Sequence, residues 1–374
     1  MKIIIIGTAY PYRGGLATFN ERLAREYILQ GHEVEIYTFT LQYPPLFFPG
    51  KTQYLDGPAP EGLKIYRKFS SVNPFTWLKT GREISKKQPD LVIVKYWLPF
   101  MAPCFRSILK QVRKNGKTRI VSILDNIIPH EKIFEGKCFT KSFVNAVDGF
   151  VAMSHSVLED VNVFDKEKPK VFSPHPLYDN FGEKVSKEKA CNKLKLDENQ
   201  NYMLFFGFIR DYKGLDLLLK AFADNRFRTS NIKLIVAGEF YKKSKKYFAL
   251  EKKLKLNGEI IWSNNFIHNS EVKYYFAAAD IIVQPYKSAT QSGVTQIAYH
   301  FEKPMLVTDV GGLSEIVPHG KVGYIVKPNE KDIADALIDF FDNKRFNDFT
   351  ENIILEKEKF QWSTMIDSIN SLIP

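Results

Sequence analysis

The chain is predicted to fold as an α/β protein with two doubly wound, Rossmann-like parallel-sheet domains. Three features carry this: a length of 374 residues, two successive series of apolar runs alternating with helix-like stretches, and a proline-rich junction between the series. One hydrophobic core stops growing at about 250–300 residues, so this length calls for two. Short apolar runs separated by amphipathic segments are what a parallel sheet covered on both faces requires.

In the first series, strands are expected at 3–6, 34–39, 91–94, 120–124, 150–153 and 171–172. Helices are expected near 15–30, 75–87, 103–115, 140–147 and 154–162. The second series places strands at 203–206, 232–237, 259–262, 281–284, 305–308 and 323–326, with helices between them. Ser173-Pro174-His175-Pro176 interrupts the pattern just after a strand and marks the junction. The expected division is 1–174, an N-terminal acceptor-side domain; 175–349, a C-terminal donor-binding domain; and 350–374, a final helix. That helix, with Phe360 and Trp362, is apolar enough to dock, the first domain being one candidate support. Ligands of open α/β sheets bind beyond the carboxyl ends of the strands, so two such domains facing each other would form a deep cleft.

Composition narrows the classes. With 44% hydrophobic and 25% charged residues, both halves can bury a core. No apolar run approaches the ~18 residues that span a bilayer. The Ile3-Ile4-Ile5-Ile6 run is short for a signal-peptide core and lacks a cleavage site after it, so a cytoplasmic protein is expected. Three cysteines without CxxC spacing argue against a disulfide framework or a zinc site. The net charge of +11 calls for an anionic partner. No nucleic-acid module accompanies it, and the cations are not interleaved with aromatics, so nucleic acid is not expected. The basic clusters at 106–117 and 242–255 are either solvated helix faces or contacts to anionic lipid on the inner face of the cytoplasmic membrane. The aromatic, proline-stiffened segment 43–51 is a further candidate for membrane or lipid-linked acceptor, or else packs on its own domain.

Four loops between a strand and a helix hold the candidate chemistry. Gly207-Phe208-Ile209-Arg210-Asp211-Tyr212-Lys213-Gly214 places two cations and two glycines before a helix start, where free N–H groups already favour an anion. Arginine grips phosphate oxygens bidentately, and lysine acts as a point charge. The loop 7–15 ends in Gly14-Gly15, which permits close backbone approach. It lacks GxGxxG order, and no acid closes the next strand, so a nicotinamide fold is weakly supported. Asp125-Asn126-Ile127-Ile128-Pro129-His130-Glu131 offers a carboxylate, an amide and an imidazole to a polyhydroxylated ligand, with His130 able to exchange a proton near neutral pH. Ser292 is an N-cap candidate, and Gly293 leaves the amides of a second helix start open to phosphate. No Asp-x-Asp occurs, so a metal clamp on a diphosphate is not expected and Arg210, Lys213 and helix N-termini must supply the charge.

Taken in order, these loops resemble the retaining family-4 glycosyltransferases of the GT-B fold, over nearly the whole chain. The resemblance rests on Gly14-Gly15, Arg210…Lys213-Gly214, Ala278-Ala279-Asp280 leading into Pro285, and Lys303-Pro304…Thr308-Asp309-Val310-Gly311-Gly312-Leu313-Ser314-Glu315. It implies a nucleotide-diphosphate sugar as co-substrate, without a further cofactor, held mainly by the second domain, and a glycan or lipid-linked acceptor held mainly by the first. Arg210 and Lys213 would bind the diphosphate, the amides of Gly293 and Val294 the distal phosphate, and Gly14 and Gly15 would lie nearby, with Glu239 a further donor-side candidate. His130 would sit near the transferred sugar, with Asp125 as the other claimant. The family's E-x7-E glutamates are replaced by Ala289 and Ile297. Gln291, Ser292 and Gln296 are expected to supply the missing hydrogen bonds. The implied reaction retains configuration, the departing diphosphate oxygen helping to deprotonate the acceptor hydroxyl. A nucleotide-sugar epimerase and a non-catalytic nucleotide-binding scaffold are the alternatives.

Overall fold

The computed structural model describes residues 1–44, 52–55, 57–128, 136–228, 230–240, 244–289 and 292–373. It divides into two compact units, Met1–Pro176 with Gln361–Pro374, and Leu177–Phe360.

The first unit runs β1 (Lys2–Ile6), α1 (Gly15–Leu29), β2 (Glu33–Leu41), β3 (Lys64–Ser70), α2 (Pro74–Lys87), β4 (Leu91–Tyr96), α3 (Ala102–Val112), β5 (Arg119–Leu124), α4 (Lys137–Val144), β6 (Gly149–Ala152), α5 (His155–Val161) and β7 (Lys170–Phe172). Its seven strands pair in parallel in the order β3-β2-β1-β4-β5-β6-β7. The β-branched runs of β1 and β4 are wholly buried, as strands covered on both faces must be. β3 was not foreseen. Its sequence Lys-Ile-Tyr-Arg-Lys-Phe-Ser mixes polar and apolar residues without a regular period, and at the edge of the sheet it needs no apolar run that would betray it.

The second unit runs α6 (Lys187–Leu194), β8 (Asn201–Phe206), α7 (Leu215–Phe222), β9 (Ile232–Ala237), α8 (Lys245–Lys253), β10 (Ile260–Ser263), α9 (Asn269–Ala278), β11 (Ile281–Gln284), α10 (Gly293–His300), β12 (Met305–Thr308), β13 (Gly323–Val326), α11 (Glu330–Asp342) and α12 (Phe346–Glu356). Six parallel strands pair in the order β10-β9-β8-β11-β12-β13. In each sheet the strand order reverses direction beside the first strand, between β1 and β4 and between β8 and β11. Connections there leave to opposite faces, and a crevice opens at the carboxyl ends.

The single final helix expected over 350–373 is instead two. α12 and a 3-10 turn, Lys357–Phe360, belong to the second unit, and α13 (Trp362–Asn370) belongs to the first. Gln361, extended at φ −67° and ψ 147°, breaks the helix. On one side of it Phe360 packs on Tyr299, ring centroids 4.7 Å apart. On the other, Trp362 is buried against Phe19 at 5.1 Å. The helix breaks because its two apolar anchors belong to different cores.

Candidate active site

Some helices begin on a side-chain cap: Asn73 for α2, Ser154 for α5, Ser186 for α6 and Asn329 for α11. Neither α1 nor α7 has one; each starts directly after a glycine, Gly14 at φ 102° and Gly214 at φ 69°. Both follow the first strand of their sheet, at the reversal point. At α7, a helix start left uncapped by a side chain can offer its first amides to another acceptor.

In the second unit, β8 leads through Gly207 to a 3-10 turn at Asp211–Lys213 and then to Gly214. The turn between strand and α7 is an element the sequence reading lacked. Gly214 is required sterically as well as conformationally, since a Cβ there would stand 1.8 Å from the Pro285 carbonyl oxygen. The loop is thus pressed against the segment after β11. The Lys287 amide donates to the Tyr212 carbonyl, and the Lys287 ammonium pairs with Asp216 at 2.7 Å. Arg210 and Lys213 are both half-buried. The Lys213 ammonium lies 5.3 Å from the centre of the Tyr286 ring, with no hydrogen bond or carboxylate partner among the described residues. Burial, reinforced by the Arg210 charge and opposed by Tyr212, lowers its pKa. A cation in that situation gains from an incoming anion. Asp211, by contrast, turns its carboxylate to Lys246 and Tyr247, which hold it below the usual carboxylate range, the Lys246 hydrogen bond foremost.

The loop after β11 supplies the second wall. Ser292 caps α10, its hydroxyl accepting from the Val294 amide at 3.2 Å. The Val294 amide is taken by the cap, and the Gly293 amide is the one without an acceptor among the described residues. Gly293 itself is dictated by Tyr178, whose Cε2 would be 2.6 Å from a Cβ at that position. The sequence reading missed Tyr178; only the folded chain brings it there. The Tyr286 hydroxyl lies 3.4 Å from the Ser292 hydroxyl, and burial pushes its pKa up to about 12. Gln296 is fully buried on α10 with neither its oxygen nor its nitrogen partnered among the described residues. A buried amide in that state is a place for a water or a ligand. Glu239 is buried just after β9, and its carbonyl accepts from the Ile209 amide at 2.9 Å. Ala289 and Ile297, where the resemblance expects glutamates, are both buried. Gln291 lies outside the described residues.

In the first unit, the loop after β1 is held at three points. The Ala9 amide donates to Thr38, the Tyr10 amide to Glu21 at 2.7 Å, and Asn20 to the Thr8 carbonyl. Gly7 leaves no room for a side chain, because a Cβ would stand 2.7 Å from the Asn20 nitrogen. Burial raises Glu21 to about 7, against the opposing Tyr10 amide and Arg25.

Asp125 follows β5, and its carboxylate is 3.0 Å from the ammonium of Lys95, which is 2% exposed on the central strand β4. Lys95 also lies 3.2 Å from the centre of the Phe19 ring. Burial lowers the Lys95 pKa while Asp125 raises it. The ring of His175 packs edge-on against Phe19 at 5.3 Å. Burial, with the Lys95 charge second, pushes that imidazole down to about 3, so it is neutral at physiological pH. Asp125 thus has a buried cationic partner that the sequence reading did not include. A lysine inside the apolar run Leu91-Val92-Ile93-Val94-Lys95-Tyr96 was the available signal. His130 lies outside the described residues.

Known proteins agree with this architecture. Residues 186–357 match the family Glycosyl transferases group 1, and residues 13–174 match Glycosyltransferase Family 4. The chain belongs to these glycosyltransferases and has their GT-B fold. Among individual relatives, an uncharacterized glycosyltransferase of Methanocaldococcus jannaschii is 26% identical, the match covering 100% of this chain and 97% of that one. The O-antigen chain mannosyltransferase C of Escherichia coli is 22% identical over 100% of this chain and 98% of its own. The Anabaena HepE protein solved with UDP superposes with a TM-score of 0.75 at 14% identity, covering 99% of each chain.

Proposed function

We propose that this glycosyltransferase moves a hexose-type sugar from a nucleotide-diphosphate donor to a glycan or lipid-linked acceptor in cell-surface polysaccharide or lipopolysaccharide synthesis, with retention and without a metal ion. The observation that carries the donor half is the juxtaposition of Lys213, half-buried and without an anionic partner among the described residues, with the Gly214 helix start and the wall formed by Tyr286, Ser292 and Gly293. Cations and N–H dipoles fixed in place before the reaction stabilise charge growing on a leaving diphosphate at no cost in reorganisation. Arg210 joins Lys213 in that role. Gln296, with Ser292 and with Gln291 five residues before it in sequence, takes the hydrogen bonds to the sugar or ribose that glutamates make elsewhere in the family. The relation to an O-antigen mannosyltransferase and the likeness to a UDP-bound protein support donor and pathway class. On the acceptor side, Asp125 or His130 stands near the transferred sugar, and the leaving oxygen takes the proton of the acceptor hydroxyl on the same face.

The test begins with a thermal-shift screen of nucleoside diphosphates and their sugars, since a ligand that binds only the native state raises Tm. With the donor identified, Lys213→Ala and Arg210→Ala should each lower kcat about 100-fold or more with the fold intact. Turnover should survive EDTA. Near-normal transfer by both variants, or loss of turnover to chelation, would overturn the corresponding part of the proposal. Conversion of a nucleotide sugar without acceptor would point to an epimerase instead.

A further inference from the structure

We infer that the outer face of α2 and α3 is a docking surface for an anionic lipid bilayer. The inference deepens the proposal above, resting on its lipid-linked acceptor. Two helices make the face, and a glycine brings them together. A Cβ on Gly81 of α2 would stand 2.6 Å from the Ile108 carbonyl oxygen and 2.7 Å from the Gln111 Cβ of α3, so the helix backbones approach as closely as a missing side chain allows.

On α2 the exposed residues Phe75, Leu78, Lys79, Arg82 and Lys86 are spaced i, i+3, i+4, i+7 and i+11, which is one stripe of a helix. On α3 they are Arg106 and Lys110, continued by Lys114 in the following turn. The two helices contain one acid between them, Glu83, and it is committed to Lys68 at 3.0 Å. Nearby cations that do have partners, Lys87 with Glu35 and Lys117 with Asp90, show what an internally balanced pair looks like in this unit. Lys79, Arg82, Lys86, Arg106, Lys110 and Lys114 have no such carboxylate among the described residues. Six uncompensated cations on adjacent helices form a patch that repels itself unless an anionic surface neutralises it.

Charge alone would suit any polyanion; the apolar tip selects a bilayer. Phe75 is 84% exposed, and Val72 and Leu78 beside it are 47% and 37% exposed. All three sit where the chain leaves β3 and begins α2, at the carboxyl edge of the sheet, the edge at which open α/β sheets take their ligands. An amphipathic surface of this kind inserts its aromatic and aliphatic residues at the headgroup boundary while its cations meet anionic headgroups. It would hold the acceptor edge of the first unit at the membrane, where a lipid-carried sugar is found.

Co-sedimentation with phosphatidylglycerol–phosphatidylcholine vesicles tests this, against vesicles of phosphatidylcholine alone. The protein should sediment with the anionic vesicles at low salt and be released at high salt, because surface charges are screened within a Debye length. K79E/R82E/K86E and R106E/K110E/K114E should each weaken partitioning at least tenfold, and F75S should weaken it severalfold, with Tm and nucleotide binding unchanged. Absence of binding to anionic vesicles by the native chain, equal binding by both triple variants, or retention on heparin without vesicle binding would overturn the inference. The nucleotide thermal shift, read on the same samples, reports separately on the donor site.

Discussion

Glu21 is the residue whose protonation most directly couples the first glycine loop to pH. Its carboxylate accepts the Tyr10 amide at 2.7 Å in a setting that raises its pKa from 4.5 to about 7. The folded protein therefore holds this proton over a range in which the unfolded chain has lost it. The neutral carboxyl's contribution to stability is complete below about pH 4.5 and is lost as pH rises through about 7. Glu21→Gln keeps an acceptor for the amide but has no proton to lose. Its Tm should fall less than that of the native chain between pH 5 and pH 8, measured by calorimetry at fixed ionic strength; parallel curves would refute the assignment. Residue chemistry of this sort was partly readable beforehand. Arg210, Lys213 and Ser292 could be singled out as candidates because cations and a cap beside glycines carry their meaning locally, and Ser292 does cap α10. Lys95, Tyr178 and Glu21 were not, because their meaning comes from partners far away in sequence: Asp125, Gly293 and the Tyr10 amide.

At the scale of the element, α10 shows how a helix start is tuned by what lies against it. Ser292 satisfies one orphan amide, and Tyr178 occupies the space over Gly293, so the remaining N–H is presented from a backbone without a side chain. Gly293→Ala must displace the Tyr178 ring, which is buried. A cost of roughly 1–3 kcal/mol is expected, with nucleoside diphosphate binding weakened as well. Denaturant unfolding and a thermal-shift titration check both parts. Normal stability together with normal nucleotide affinity would show that the ring is not held where the geometry places it. The element boundaries illustrate the same dependence. Buried strands declared themselves as apolar runs, whereas β3, at the sheet edge, needed its neighbour β2 to be recognised.

At the scale of the whole molecule, the last helix completes a core that begins 343 residues earlier in the chain, where the Tyr27 hydroxyl donates to Asn370. Trp362, Met365, Ile366 and Ile369 are buried with Phe19 and Tyr27, and the Arg22 guanidinium lies 5.1 Å from the Trp362 ring centre. Trp362→Ala should cost about 3–5 kcal/mol, and the loss should fall on the first unit's unfolding transition. Hydrogen exchange or limited proteolysis would locate it there; destabilisation confined to Leu177–Phe360 would contradict the assignment of α13. Sequence by itself determined the doubly wound class, the order of the loops and the family. Those depend on local periodicity and on glycine, proline and charge in short segments, where the physics is carried by neighbours in the chain. Only the tertiary structure decided where the final helix breaks, which amide at Gly293–Val294 remains without an acceptor, and that Asp125 is paired with a buried lysine. Each of these turns on a contact between distant segments, and the energy of such a contact exists only once the core has brought them together.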